Sequence, residues 1–139
     1  MSLSAKTQYA CLAMLQLAAD YEVQEPSPLR RIAEQHGIPA AFLVQILQEL
    51  KRAGLVGSSR GSAGGYRLAN SPDQITLADV VAVFECLDAG GQCAAVESPL
   101  AQTIGGVCEQ LASMRREWLE SVTLSELAAA GNVQPMWYI

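Results

Sequence analysis

A mainly α fold built on a winged helix-turn-helix is predicted by three features of this 139-residue chain. Residues 29–68 read as two short helices across a tight turn, followed by a glycine-rich hairpin. A helical stretch rich in Ala, Leu and Met precedes them. The longest helix of the chain follows, with an apolar residue at every third or fourth position from Leu100 to Trp118. The expected architecture is a winged helix-turn-helix domain with a small β-hairpin wing over residues 1–72, joined to residues 73–139, a sensing loop and a long C-terminal dimerisation helix. Such a shape offers one helix to a DNA major groove and the wing to the backbone or minor groove.

Ser4 is placed to cap a first helix running to about Asp20, and polar residues 21–27 make a loop. Ser27 reads as the N-cap of the second helix, with Pro28 at its first position, where the missing N–H costs nothing. Leu29, Ile32 and Ala33 form its apolar face, and Gly37 supplies the stop. The next helix starts after Ile38-Pro39 and repeats apolar residues at Phe42, Leu43, Ile46, Leu47 and Leu50. Its opposite face offers Ala41, Gln45, Gln48, Lys51 and Arg52, and Gly54 closes it. Leu55-Val56 begins a strand, the glycines between Ser58 and Gly65 force a sharp turn carrying Arg60, and Tyr66-Arg67-Leu68 returns. Thr76 and Asp79 form an acidic capping box for a helix burying Leu77, Val80, Val81 and Phe84. Residues 88–97 read as a loop, Ser98-Pro99 opens the long helix, and Thr123 to Glu126 caps a last short helix ending at Gly131. The apolar tail NVQPMWYI is expected to pack on its own or a second subunit.

Half of the residues are hydrophobic, too many for a disordered chain. No apolar run approaches the roughly 18 residues of a bilayer span, and no signal-peptide pattern opens the chain, so a cytoplasmic protein without membrane contact is expected. The net charge of −5 is unevenly spread. Residues 1–70 carry seven Lys and Arg against five acids, whereas residues 71–139 carry two against nine. One half suits phosphates and the other suits protein. No CxxC pair occurs among Cys11, Cys86, Cys93 and Cys108, and Cys11 and Cys86 read as small buried hydrophobes. The lone His36 reads as exposed or capping rather than a ligand. Catalysis finds no support: there is no His–carboxylate pair at working spacing, and the GSAGG tract sits inside a hairpin instead of opening a helix.

Leu100, Ile104, Val107, Leu111, Met114 and Trp118 are spaced 4, 3, 4, 3 and 4 apart. This heptad seam predicts a homodimer packed along the long helix. Gly105-Gly106 would cost about 2 kcal/mol in helix propensity unless close approach offsets it.

The segments LSAKTQYACLAMLQLA, IAEQHGIPAAFLVQIL, AGLVGSSRGSAGGYRLA, ITLADVV and TLSELA resemble, in this order, the Rrf-two family of bacterial winged-helix transcription regulators, the IscR-, NsrR- and CymR-like proteins. The RGxxGGYxLA wing from Arg60 to Ala69 is the most specific of these motifs. The resemblance implies a homodimer binding a palindromic operator on double-stranded DNA, usually as a repressor. Ser4, Lys6 and Tyr9 match the family's backbone-contacting positions. Pro39, Ala41, Val44 and Gln45 match the start of its recognition helix, and Arg60 matches the wing arginine that enters the minor groove. Lys51 and Arg52 on the open helix face, with Gly64, Gly65 and Tyr66 of the wing, complete the expected DNA-binding set. Gln45 can read adenine, whereas Ala41 and Val44 offer only methyl contacts, so the operator is expected to differ from that of the iron–sulfur regulators.

The resemblance also implies responses to iron–sulfur, redox or cysteine status. Cluster-bearing members place three cysteines five or six residues apart before the long helix, and only Cys93 falls in that window here. Cys108 lies further along, and Gln8 and Leu12, at positions comparable to first-helix ligands of some relatives, are poor iron ligands. An iron–sulfur cluster held by Cys93 and Cys108, a reactive thiol site, and a regulator with no cofactor all stay open. A protein-interaction module of the same fold, partnering a metabolic enzyme without DNA binding, is the alternative function.

Overall fold

The computed structural model describes residues 2–23, 25–87 and 98–132. Its elements in chain order are α1 (Ala5–Ala19), α2 (Leu29–His36), α3 (Ala40–Arg52), β1 (Val56–Ser59), β2 (Gly65–Leu68), a 3-10 turn (Pro72–Gln74), α4 (Leu77–Phe84), α5 (Pro99–Ser121) and α6 (Leu124–Asn132). The mainly α winged helix-turn-helix predicted from the sequence is therefore present. α1 opens at Ser4, whose Oγ accepts the Thr7 amide at 3.2 Å. It buries Thr7, Ala10, Ala13, Met14, Leu17 and Ala18. α2 packs Ile32 and Ala33 inward and stops at Gly37, whose φ of 63° is the left-handed conformation that glycine adopts without a Cβ clash. α3 contributes Leu43, Ile46, Leu47 and Leu50, all fully buried.

β1 and β2 pair antiparallel, with Val56 opposite Leu68 and Ser59 opposite Gly65. Val56 and Leu68 enter the core, so the base of the wing is anchored and its tip stands in solvent. Beyond the wing, Thr76 Oγ1 accepts the Asp79 amide and the Asp79 carboxylate accepts the Thr76 amide, completing the predicted capping box. Ile75, Val80 and Leu124, all past residue 72, join the same core as α1 and α3. Two backbone bonds, Leu77 N–H to Val122 O and Leu124 N–H to Ile75 O, tie the entry of α4 to the link between α5 and α6. A second small cluster of Leu77, Ala78, Val81 and Leu119 seats α5 on α4.

Four local expectations change. Ser27 is not the cap of α2: the N-cap is Pro28 and makes no side-chain cap bond. Ser27 is buried, its Oγ donates to Asp20 Oδ2 at 2.8 Å, and its backbone pairs with Tyr66. Cys86 is exposed rather than buried, because α4 ends at Phe84 and Glu85 is extended at φ −134°, ψ 145°. α6 continues through Gly131 to Asn132. His36 is neither solvent-facing nor a cap: half-buried, its Nε2 lies 3.0 Å from Gln16 Oε1 and joins α2 to α1. The expected loop at 88–97, with Cys93, and the tail beyond Asn132 lie outside the described residues.

Candidate nucleic-acid interface

The candidate reading surface follows from the periodicity of α3. With Leu43, Ile46, Leu47 and Leu50 inward, the 100° step per residue turns Ala41, Gln45, Gln48, Lys51 and Arg52 outward, and all five are exposed. Pro39, at the entry of this helix, is also exposed, and Val44 is half-buried at the edge of the face. Lys51 and Arg52 occupy the last turn, where cations complement the carbonyl end of the helix dipole. Lys51 Nζ donates to Ser58 Oγ at 2.6 Å, so the end of α3 is bonded to the first strand of the wing.

The wing is shaped by backbone constraints that its glycines satisfy. Gly61 has φ 104°, and Gly64 N–H closes the turn on Gly61 O at 3.0 Å. A Cβ at Gly64 would stand 2.5 Å from Ser59 O, and one at Gly65 would stand 2.3 Å from Ser27 O. Tyr66 exchanges two backbone bonds with Ser27, of 2.8 and 2.9 Å, which pin the hairpin to the loop before α2. Gly64, Gly65 and Tyr66 thus set the wing's position, while Arg60 is exposed at its tip. Arg67, on β2 and exposed, adds a cation absent from the expected set. Its place opposite Gly57 becomes visible only once the strand register is known.

The first turn of α1 is held by its neighbours. Ser4 caps the helix, and its own N–H donates to Glu85 Oε2 at 3.2 Å. Lys6 Nζ lies 3.0 Å from both carboxylate oxygens of Glu49 on α3, and 5.4 Å from the centre of the Phe84 ring. Tyr9 packs edge-on against Phe42 at 5.7 Å. The three positions expected at the DNA backbone are therefore also the joint between α1 and α3. Glu85 additionally accepts Arg115 Nη2 at 3.0 Å. Burial pushes the Glu85 carboxyl up, but bonds from Thr7, Arg115 and the Ser4 amide together hold it below the usual carboxylate range. The Cys11 thiol, beside it, is raised to about 11 by burial and by the Glu85 charge, which makes it an unreactive packing group.

α5 carries the second surface. Of its 23 residues only Leu119 is buried, whereas Leu100, Ile104, Val107, Leu111, Met114 and Trp118 are between 43 and 79 % exposed. Leu111, Met114 and Trp118, with Leu3, Leu77, Arg115 and Leu119, line an apolar groove of about 550 Å³. A Cβ at Gly105 or Gly106 would meet nothing within 4 Å, so no contact among the described residues offsets their propensity cost.

The described residues do not fit an iron–sulfur cluster by themselves. No group of three or more His, Cys, Asp or Glu side chains among them is arranged to hold a metal. Cys108 is half-buried on α5, Gln8 and Leu12 are exposed on α1, and neither an amide nor an isobutyl group supplies the thiolate-rich donor set such a cluster needs.

Among the described residues no helix is long and apolar enough to cross a membrane. The chain matches the model of the Rrf2 family, described as iron-dependent transcriptional regulators, over residues 3–130. It is 37 % identical to the HTH-type transcriptional regulator IscR of Vibrio parahaemolyticus, over 96 % of this chain and 80 % of that protein. In three dimensions it is similar to CymR (YrzC), the global cysteine regulator of B. subtilis, with TM-score 0.82 and 31 % identity over 94 % of this chain and 98 % of that one. It is likewise similar to T. potens IscR, with TM-score 0.79 and 31 % identity over 100 % and 97 % of the two chains. These relatives are transcription regulators and not enzymes, and the chain belongs to the Rrf2 family.

Proposed function

We propose that this chain is a sequence-specific DNA-binding regulator that acts as a homodimer on a palindromic operator, as a repressor. The observation that carries the reading is the pairing of an open recognition face on α3 with an uncovered apolar seam on α5. Each subunit alone supplies only a modest positive field, and joining two through α5 sets paired reading heads on one duplex, where their spacing must match successive turns of about 34 Å. Gln45 reads adenine through its amide, Ala41 and Val44 touch thymine methyl groups, and Arg60 enters the minor groove. Ser4, Lys6 and Tyr9 then approach the phosphates beside α3.

The test uses a duplex selected from a randomised pool, or the chain's own upstream region. Footprinting should show salt-dependent protection of a two-fold site. Arg60→Ala and Gln45→Ala are each expected to lower specific affinity by about 10-fold or more, the scale of a lost base or groove contact, with Gln45→Ala also relaxing discrimination at one A·T pair. Unchanged specific binding in both variants would refute the assigned readout.

For the signal, the amide of Gln8 and the isobutyl group of Leu12 supply no thiolate where some relatives place first-helix ligands, which supports a regulator that carries no cluster. Protein purified without oxygen is expected to be colourless and to bind the selected duplex. A brown chromophore with stoichiometric iron, lost on Cys93→Ala, would replace this reading by a cluster-bearing one.

A further inference from the structure

The first turn of α1 stands between the two surfaces described above. On one side Glu85, at the exit of α4, bonds both Arg115 of α5 and the Ser4 amide. Thr7, fully buried, bonds Glu85 and shares a 2.8 Å hydroxyl contact with Ser4. On the other side Lys6 of the same turn is fastened to Glu49 of α3. The Arg115–Glu85 and Lys6–Glu49 contacts, each 3.0 Å, are part-buried, the 3.2 Å bond from the Ser4 amide to Glu85 is exposed, and the helical backbone from Ser4 to Lys6 joins the two halves of the route. Arg115 also lines the groove that holds Leu111, Met114 and Trp118, so anything seated on the seam bears directly on it.

We infer that Glu85 and Arg115 are positioning residues for DNA recognition, fixing the first turn of α1 and through Lys6–Glu49 the pose of α3, so that the state of α5 reaches the reading face by this route. The inference rests on the DNA-binding reading above. α5 and α3 share no buried cluster, since Leu119 of α5 lies in the second and α3 in the first; α4 packs on both, so the polar route runs beside an apolar one, which Leu119→Val tests separately. A change in how α5 is seated alters the Arg115–Glu85 contact, and the Ser4 and Thr7 bonds to the same carboxylate carry it to α1.

Arg115→Met and Glu85→Gln are compared with the wild type in the full chain, with Arg60→Ala as the reference for lost DNA contact. Both are expected to keep the wild-type sedimentation, to speed hydrogen exchange at the Thr7 and Gln8 amides, and to weaken binding to the selected duplex about 10-fold. The salt dependence should stay at the wild-type slope, since no phosphate contact is removed. The double variant should be no weaker than either single one, and Arg115→Lys should recover most of the affinity. Leu119→Val, which loosens the same packing without touching the charges, should lower thermal stability and leave affinity unchanged.

Wild-type affinity in Arg115→Met and Glu85→Gln, beside a large loss in Arg60→Ala, overturns the relay and leaves the DNA reading intact. Unaltered exchange in α1, or dissociation into subunits, also overturns it. A wild-type chain that protects no duplex removes the DNA reading and the relay together.

Discussion

Leu111→Asp is expected to leave a folded subunit that no longer pairs and that binds the selected duplex at least 100-fold more weakly. In the isolated subunit Leu111 is 43 % exposed, so an aspartate there stays hydrated and costs the subunit fold little. In a pair joined along α5 the same carboxylate would be buried beside Ile104, Val107 and Met114, where the Arg115 guanidinium is already held by Glu85, and the two-fold relation would bring two such charges together. Leaving a buried charge unpaired costs roughly 3–5 kcal/mol, enough to dissociate a small interface. Six seam side chains per subunit, at about 1.5–3 kcal/mol each when fully buried, give a large gross gain from which the cost of association is subtracted. Loss of pairing turns one bivalent binding event into two separate weak ones, hence the large fall in affinity. Sedimentation at matched concentration, with and without duplex, reads the outcome. Gln110→Asp, a charge placed at the exposed neighbouring position, is the control and should pair normally. A Leu111→Asp chain that sediments and binds like the wild type would show that the seam is not the joining surface.

The seam was legible because its signal is local. A run of 4 and 3 spacings requires only that the segment be helical, and the surplus of apolar residues over what a small domain can cover is visible by inspection. The open face of α3 was legible for the same reason, as were the capping box at Thr76 and the glycine-forced turn of the wing. What escaped depended on contacts between distant residues. Ser27 precedes a proline and a helical stretch, which locally favours a cap. Its partner Tyr66 lies 39 residues away, and two backbone bonds to that strand outweigh one side-chain cap. Cys86 follows the apolar rhythm of α4, but the helix ends two residues earlier and the extended Glu85 turns the chain outward. Lys6 reads as a free cation until α3 folds Glu49 against it, 43 residues on, and Glu85 meets Arg115 only across 30 residues. Periodicity locates surfaces, whereas the joints between them are set by tertiary pairing that no local window contains.

Gly65→Ala should detach the wing and destabilise the chain by about 3 kcal/mol, at the upper end of what an overpacked site costs. The glycine is buried, and an added Cβ would lie 2.3 Å from Ser27 O, 2.5 Å from Ser27 C and 2.8 Å from Pro28 N. All three are backbone atoms, so no side-chain rotation relieves the overlap and the strand itself has to move. Moving it breaks the two backbone bonds between Ser27 and Tyr66, leaving polar groups of the buried Ser27 without partners. The melting temperature should fall by roughly 10 °C. Affinity for the selected duplex should fall at least as far as in Arg60→Ala, because the arginine is still present but the anchored wing that would aim it at the proposed minor-groove contact is lost. Gly57→Ala is the contrast within the same hairpin: its Cβ meets nothing within 4 Å, and both stability and binding should stay near the wild type. Equal behaviour of the two variants would mean that the hairpin is not held by its contact with the loop before α2. The wing would then reach DNA as a flexible arm, and Arg60 would lose the fixed aim on which its role in recognition depends.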